Sequence, residues 1–529
     1  MTSAPSISTT TPPRVGRVHT VHATVVPTWW RTPRFTGAPG HALAAALMTG
    51  ATSAVAVVLA SAGAAPAATY VYPLLAVALA AVLLRGHPER YAAFAWWTWV
   101  VAPWVRRVVD LYGGWNPLSP LTLTPLIVSG LAVFPLLRRA PRLRRRALAP
   151  FTLAGAAVLS GFAVGFTRVG PAGAFYGLLS WGAPLAFGAW LTMEWRRYPA
   201  LRDVILRTLA LATFAVAAYG IYQFLSPPAW DRSWMLNSAM ESIGRPEPFQ
   251  VRVFSTLNSP GTLAGVLCTT LLLLLTAGVP RSVISVAAGC GALLLTLGRA
   301  AWIGTLVGLL VLASQTSRVV LTRQLRVAAQ LLAAATLSVA AASAFLPADV
   351  RARATDVVAR RVNSTTALDQ DASFFDRQRI LERSLERVEA QPLGHGIGAS
   401  GGGVGRLSGP DVIEAFDNGL LEVVYALGWP GAAAFYGAIL WIAFARFRGG
   451  TAADDTTPAA ARAVLAAAGV QLLAGNQFTG AVGAAFWSTA GLLSAARVWH
   501  AAIAARQPGA PTIAAGSAIT DARLAEARV

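Results

Sequence analysis

Lysine is missing from this chain: every one of its 43 basic residues is arginine. Charge of any kind is scarce, 12% of 529 residues, or about half the share a soluble chain carries. That scarcity excludes a soluble globular fold of this length, which needs a charged surface however large its core. Cysteine is nearly absent too. Cys268 and Cys290 both fall inside apolar blocks, which excludes a disulfide framework and a cysteine metal site and leaves the redox compartment open.

What the chain has in quantity is apolar sequence, 55% of its residues. It comes in blocks of about 20, such as Leu43 to Ala65 and Arg326 to Phe345, the length a helix needs to cross a bilayer. By that length rule there are about fourteen candidate spans. The fold expected is all-α, a polytopic transmembrane helical bundle of about 12 to 14 spans with a large, partly helical extracytoplasmic loop. The two apolar stretches on either side of Gly298 read as two spans or as one long broken helix. No internal repeat is strong enough for an inverted-repeat transporter.

The formal charge of +20 is compatible with nucleic-acid binding, but the arginines lie between apolar blocks rather than on one module, so no nucleic-acid partner is expected. They read as topology determinants. Clusters at Arg138 to Arg146, at Arg196, Arg197 and Arg202, at Arg318, Arg323 and Arg326, and at Arg446 and Arg448 all fall on one side, with the arginines of the N-terminal tail. The positive-inside rule makes that side cytoplasmic, with both termini there. Residues 1–42 then form a disordered cytoplasmic tail, 43–346 transmembrane helices, 347–417 an extracytoplasmic loop, 418–502 further transmembrane helices and 503–529 a second cytoplasmic tail. A shorter outer loop runs from about Ser226 to Ser259.

Candidate chemistry lies on the outer side. Arg299, in Leu297-Gly298-Arg299-Ala300-Ala301-Trp302, sits where an arginine serves topology poorly. It is either a snorkelling side chain beside an anchoring Trp or a fixed cation for an anionic group. Ser373 to Asp376 resembles a capping box, and Leu381, Leu385 and Val388 recur at helical spacing until Pro392 and Gly394 stop the helix. Arg377 falls in its first turn, where it favours an anion ligand or pairs with Asp376 or Asp371. Asp417, before Asn418 and Gly419, is either the N-cap of the next span or a general base. Arg252 adds one more cation to the same face.

The order of these elements resembles the O-antigen ligase and polysaccharide polymerase superfamily of bacterial membrane glycosyltransferases. The family pattern has a Tyr-x-x-x-Gln span, an Arg-Val-Phe-Gly-Thr-x-x-Asn-Pro stretch and a Ser-Arg-Gly-x-Trp turn. A large extracytoplasmic loop, a Pro-Leu-x-Gly-x-Gly segment and a His-Asn-x-x-Leu helix ending in Gly-x-x-Gly follow. Here Tyr219 to Gln223, Arg252 to Pro260, Gly298 to Trp302, Pro392 to Gly398 and Asp417 to Gly431 stand in those places, in that order.

The resemblance implies transfer of a glycan from a polyprenyl-diphosphate carrier to a glycan or lipid hydroxyl acceptor, at the outer face of a bacterial cytoplasmic membrane, in cell-surface polysaccharide assembly. It implies no metal ion and no cofactor. Arg299 and Arg377 match the family arginines that would hold diphosphate. Gln223, Arg252, Asn258, Asn418 and His395 fall in motif segments and are the candidate substrate-binding residues. The family's usual His before the Asn is Asp417 here, which makes Asp417 the candidate base, with His395 nearby as a substitute or a plain loop residue. The rival of another class is a non-enzymatic flippase or exporter of the same lipid-linked glycan, which calls for paired halves and charges lining a path. In a background lacking Cys268 and Cys290, an impermeant thiol reagent added outside is expected to label a cysteine at Ser364 and to spare one at Thr451. The reverse pattern would invert the topology.

Overall fold

In hydrocarbon each backbone N–H and C=O must be satisfied within its own segment, so apolar blocks of this length fold as helices. The computed structural model describes residues 38–139, 146–238, 240, 243–276, 282–315, isolated positions between 322 and 333, 382, 384–401, 416, 418–445 and 455–505. Among these the architecture is all α, without a strand. The helices are α1 (Ala38–Leu59), α2 (Ala65–Gly86), α3 (Pro88–Gly113), α4 (Thr124–Gly130), α5 (Val133–Arg138), α6 (Ala149–Arg168), α7 (Pro171–Met193) and α8 (Tyr198–Leu225). There follow α9 (Ala229–Asn237), α10 (Pro260–Leu274), α11 (Ser282–Leu295), α12 (Arg299–Gln315), α13 (Gly419–Phe444), α14 (Thr457–Gln471) and α15 (Gly480–Ala504). Both tails beyond residues 38 and 505, the block Arg326 to Phe345 as a whole, and most of the loop 347–417 lie outside the described residues.

Six described stretches are long and apolar enough to cross a membrane. The first, Gly40–Gly86, has 47 residues, about twice what one span needs. It folds back on itself at Gly63, whose φ of 84° is left-handed, so that Ser53 of α1 and Tyr72 of α2 face each other. The apolar pair around Gly298 is two helices, not one broken helix. Gly298 lies against Ala264 and Gly308 against Leu272, so α12 runs alongside α10 in the same direction. Gly289 of α11 lies against Leu271 of α10 and Thr213 of α8.

The two ends of the bundle differ. One end is held by arginines. Arg139 pairs with Glu194 at 2.7 Å and Arg197 with Glu89 at 2.9 Å. Asp455 is bonded to Tyr198 at 2.7 Å, to His500 at 2.8 Å and to Arg202 at 3.3 Å. Burial alone would raise the Asp455 carboxyl, but the bonds from His500 and Tyr198 and the Arg202 charge outweigh it and hold it down at about 2. The other end carries the turns at Gly63, 114–119, 169–170, 226–259, 296–298 and 472–479. The site is built there.

Into this second end runs the segment Pro392–Gly398. Gly394, Gly396 and Gly398 hold φ of 81°, 91° and 101°, a left-handed backbone that side chains resist. That backbone lies directly on other backbones. A Cβ on Gly396 would strike Gly165 of α6, and one on Gly394 would strike Gly428 of α13. Ile397 N–H donates to Gly161 O at 3.0 Å, and Trp429 N–H to Pro392 O at 2.9 Å. Gly428 itself leaves helical geometry at φ 70°, ψ 172°, which breaks α13 where the wedge enters. Gly396→Ala is therefore expected to lower stability by at least about 2 kcal/mol, from the left-handed strain and the overlap together. Gly437→Ala, with nothing within 4 Å of its Cβ, is expected to be silent. Thermal inactivation of the two variants in one detergent checks this.

Candidate functional site

The floor of the site is a buried ion pair. Arg107, near the end of α3, meets Asp231 of α9 at 3.2 Å, both side chains 0% exposed. Two charges taken out of water are retained only if their remaining hydrogen-bonding groups are met, and most here are. Asp231 Oδ2 accepts from Gln223 Nε2 at 2.6 Å and from Tyr219 OH at 2.9 Å. Arg107 Nη2 donates to Ser255 O at 2.6 Å, and its guanidinium lies 4.9 Å from the Phe254 ring centroid. Burial is the largest influence on Asp231 and lifts its carboxyl, while Arg107, Gln223 and Tyr219 pull it back down.

Gln223 turns this pair into a support for the next segment. Its Oε1 accepts from the N–H groups of Phe254 at 3.0 Å and Ser255 at 2.9 Å. Ser255, at φ 53°, anchors back to Val216 O at 2.6 Å. The chain held in this way presents Arg252. Val253 N–H donates to Leu295 O at 3.2 Å, and Arg252 Nε donates to Thr296 O at 3.2 Å. The next residue, Leu297, is one of three described non-glycine residues with positive φ, at 56°. Such outliers persist only where surrounding structure enforces them, and they gather at functional sites. Gly298 closes the turn and Arg299 opens α12. Two half-buried arginines, Arg252 and Arg299, thus flank one turn. Asn258, on the same held segment, has an enclosed Oδ1 with no hydrogen-bond partner.

The start of α13 forms the other part. Asn418 caps the helix, its Oδ1 accepting from Leu420 N at 2.9 Å and Leu421 N at 3.3 Å. The expected alternative of an Asp417 cap is thereby corrected: the helix begins at Gly419, so Asn418, at φ −141° and ψ 107°, holds the N-cap position whose side chain meets the N2 and N3 amides. Ser400 Oγ donates to the buried Glu422 at 3.1 Å. His395 is fixed by the wedge. Its N–H donates to Tyr425 O at 2.7 Å, and its ring stacks on that of Tyr425 at 4.0 Å and 12°. The Tyr425 ring also meets Phe416 at 4.9 Å.

Of the residues expected from the sequence, Gln223, Arg252, Asn258 and Arg299 come together around one held segment and one turn. His395 and Asn418 come together at the start of α13. Arg377 and Asp417 lie outside the described residues. Sequence reasoning missed Arg107 and Asp231. The available signal was an Arg-Arg pair closing the third apolar block on the side where topology wants none.

Residues 283–436 match the family model described as O-antigen ligase. No curated protein matches the chain. The family match supports the O-antigen ligase superfamily that the motifs resemble and covers Arg299, His395 and Asn418 together with Arg377 and Asp417. It indicates a multi-pass membrane enzyme of the O-antigen ligase-like glycosyltransferase type. A role in cell-surface polysaccharide assembly goes with it.

Removing one partner of the buried pair should cost far more than removing both. Arg107→Met and Asp231→Leu are each expected to destabilise by about 3–5 kcal/mol, and the double variant to recover much of that, since no lone charge remains inside. Thermal inactivation of the four proteins of this cycle measures the coupling.

Proposed function

We propose that this protein transfers or polymerises a polyprenyl-diphosphate-linked glycan onto a hydroxyl acceptor at the outer face of the cytoplasmic membrane. The observation that carries this is the pairing of motif segments at one end of the bundle: Arg252 and Val253 on the Thr296 turn before Arg299, and Pro392–Gly398 on the break in α13. That end is opposite the salt-bridged arginine end, which the positive-inside rule assigns to the cytoplasm.

The chemistry follows from the leaving group. An acceptor hydroxyl oxygen attacks the anomeric carbon as the bond from that carbon to the diphosphate oxygen breaks. The hydroxyl proton passes to a base, and the carrier leaves as polyprenyl diphosphate with an added negative charge. Arg299 and Arg377 hold that diphosphate, because guanidinium forks offer paired N–H bonds to phosphate oxygens and strengthen as its charge grows. Arg252 and Asn258 line the same turn as substrate contacts, with Gln223 fixing their segment from below. Asp417 is the base, carried beside the Asn418 cap. His395 contacts the bound glycan.

Arg299→Ala is expected to lower transfer by about 10²–10³, the usual loss for one oriented charge contact to a transition state, while leaving the protein inserted. Arg299→Lys should rescue poorly for want of the fork. Asp417→Asn is expected to abolish transfer with little change in stability, since Asn418 supplies the cap. Transfer from a synthetic polyprenyl-diphosphate glycan in liposomes measures all three, and near-normal rates in either Arg299→Ala or Asp417→Asn would remove that residue from the site. Loss of the gene should leave carrier-linked glycan outside the membrane: single repeat units for a polymerase, full chains for a ligase.

A further inference from the structure

The Arg299 turn and the start of α13 stand on different helices. The turn 472–479, which joins α14 to α15 and lies after the family match, reaches both. On one side it meets α13: a Cβ on Gly419 would overlap the Gly475 carbonyl and stand 2.7 Å from Asn476 N. On the other side it meets α10: Gln477 Oε1 lies 3.6 Å from where a Cβ on Gly265 would be. The residue before Gly265 is Ala264, which packs against Gly298 of the Arg299 turn. Contacts therefore run without a break from Asn418 and Gly419, through this turn and α10, to Gly298 and Arg299.

Gln477 joins the two sides. It is buried, and its Nε2 donates to Gly475 O at 3.2 Å, the oxygen that lies against Gly419. One end of its amide thus faces α10 while the other holds the carbonyl that meets α13. The turn around it is stiff. Phe478 N–H donates to Asn476 Oδ1 at 2.8 Å, and the buried Phe478 ring meets Phe435 of α13 at 5.1 Å and Phe486 of α15 at 5.0 Å. Ser400 bonds Glu422 in the first turn of α13, so the helix start is held from a second side. An apolar side chain of similar size would fill the Gln477 space at less desolvation cost; what the amide adds is direction. We propose that Gln477 is a positioning residue for transfer, fixing Gly475 against Gly419 and bearing on the Arg299 turn through α10. It sets the gap between the donor's diphosphate and the acceptor's base and touches neither substrate. This rests on the glycan-transfer reading, in which Arg299 holds the donor and the base stands beside Asn418.

The test uses the full chain in liposomes with a synthetic polyprenyl-diphosphate glycan. Gln477→Met keeps the size of the side chain and loses both polar ends, and Gln477→Asn keeps the amide one methylene short. Gln477→Met is expected to lower kcat by about 10²-fold, the loss that a displacement of about 1 Å brings. The donor KM should stay within about two-fold, because Arg299 remains on its own turn. Gln477→Asn should show the same pattern with a smaller fall in kcat. In an Arg299→Ala background, Gln477→Met should add less than about three-fold, since alignment with a missing charge is worth little. Spin labels at Ile303 of α12 and Leu420 of α13, both exposed, read the gap without any reaction in a background lacking Cys268 and Cys290. One narrow distance is expected in the parent chain and a shifted or broadened one in Gln477→Met. Unchanged kcat in both variants, an unchanged distance, a loss carried by donor KM, or losses that multiply with Arg299→Ala would each overturn the proposal. Should Gln477→Met fail to insert, Gln477→Asn decides by the same criteria. A distance that responds in a chain that transfers no glycan would keep the spacer and overturn the glycan-transfer reading instead.

Discussion

The site end of this bundle depends on one pair of charges sealed from water, Arg107 and Asp231. In a low-dielectric interior such a pair is tolerable only when its remaining donors and acceptors are nearly all engaged, and that requirement organises what lies above it. Gln223 engages Asp231 with one end of its amide and the Phe254 and Ser255 amides with the other. Ser255 in turn receives Arg107 on its carbonyl. The result is a closed set of bonds through α3, α8, α9 and the segment before α10. Arg252 and Asn258 stand on that segment, so their positions are set by bonds beneath them and do not depend on their own flexible side chains.

The other part of the site uses a different principle. Where Pro392–Gly398 meets α6, α7 and α13, backbone meets backbone with almost nothing between. Glycines on both partners allow this approach, and van der Waals contact over short distances replaces the side-chain bonds of the first part. Rigidity in the first part is electrostatic and in the second part steric. Both constrain segments that lie between helices.

The helices were legible in the sequence because bilayer thickness imposes a length that composition cannot disguise. The arginines gathered at one end were legible too, and Arg139, Arg197 and Arg202 are paired there with Glu194, Glu89 and Asp455. The turn at Gly63 was less so: the first two blocks read as separate spans, and only the left-handed backbone shows how sharply they fold together. The motif residues Gln223, Arg252 and Arg299 were recognised by order and pattern, yet their roles diverge. Gln223 is entirely buried and works as a brace. Arg107 was passed over, because the rule that reads arginines as topology markers has no place for one buried inside the bundle, and the Arg-Arg pair on the wrong side was its one trace. Its partner Asp231 lies far along the chain, and no local pattern links them. Asn418 against Asp417 was a choice between neighbours that side-chain geometry alone decides.

The buried floor and the Arg299 turn above it come from different parts of the chain. The family match begins at residue 283, whereas Arg107, Gln223, Asp231 and Ser255 all precede it. The recognisable domain is thus a tenant in a house built by the less recognisable half. A graft of residues 283–436 onto another membrane scaffold would carry Arg299 without the buried pair and the held segment that stand beneath its turn.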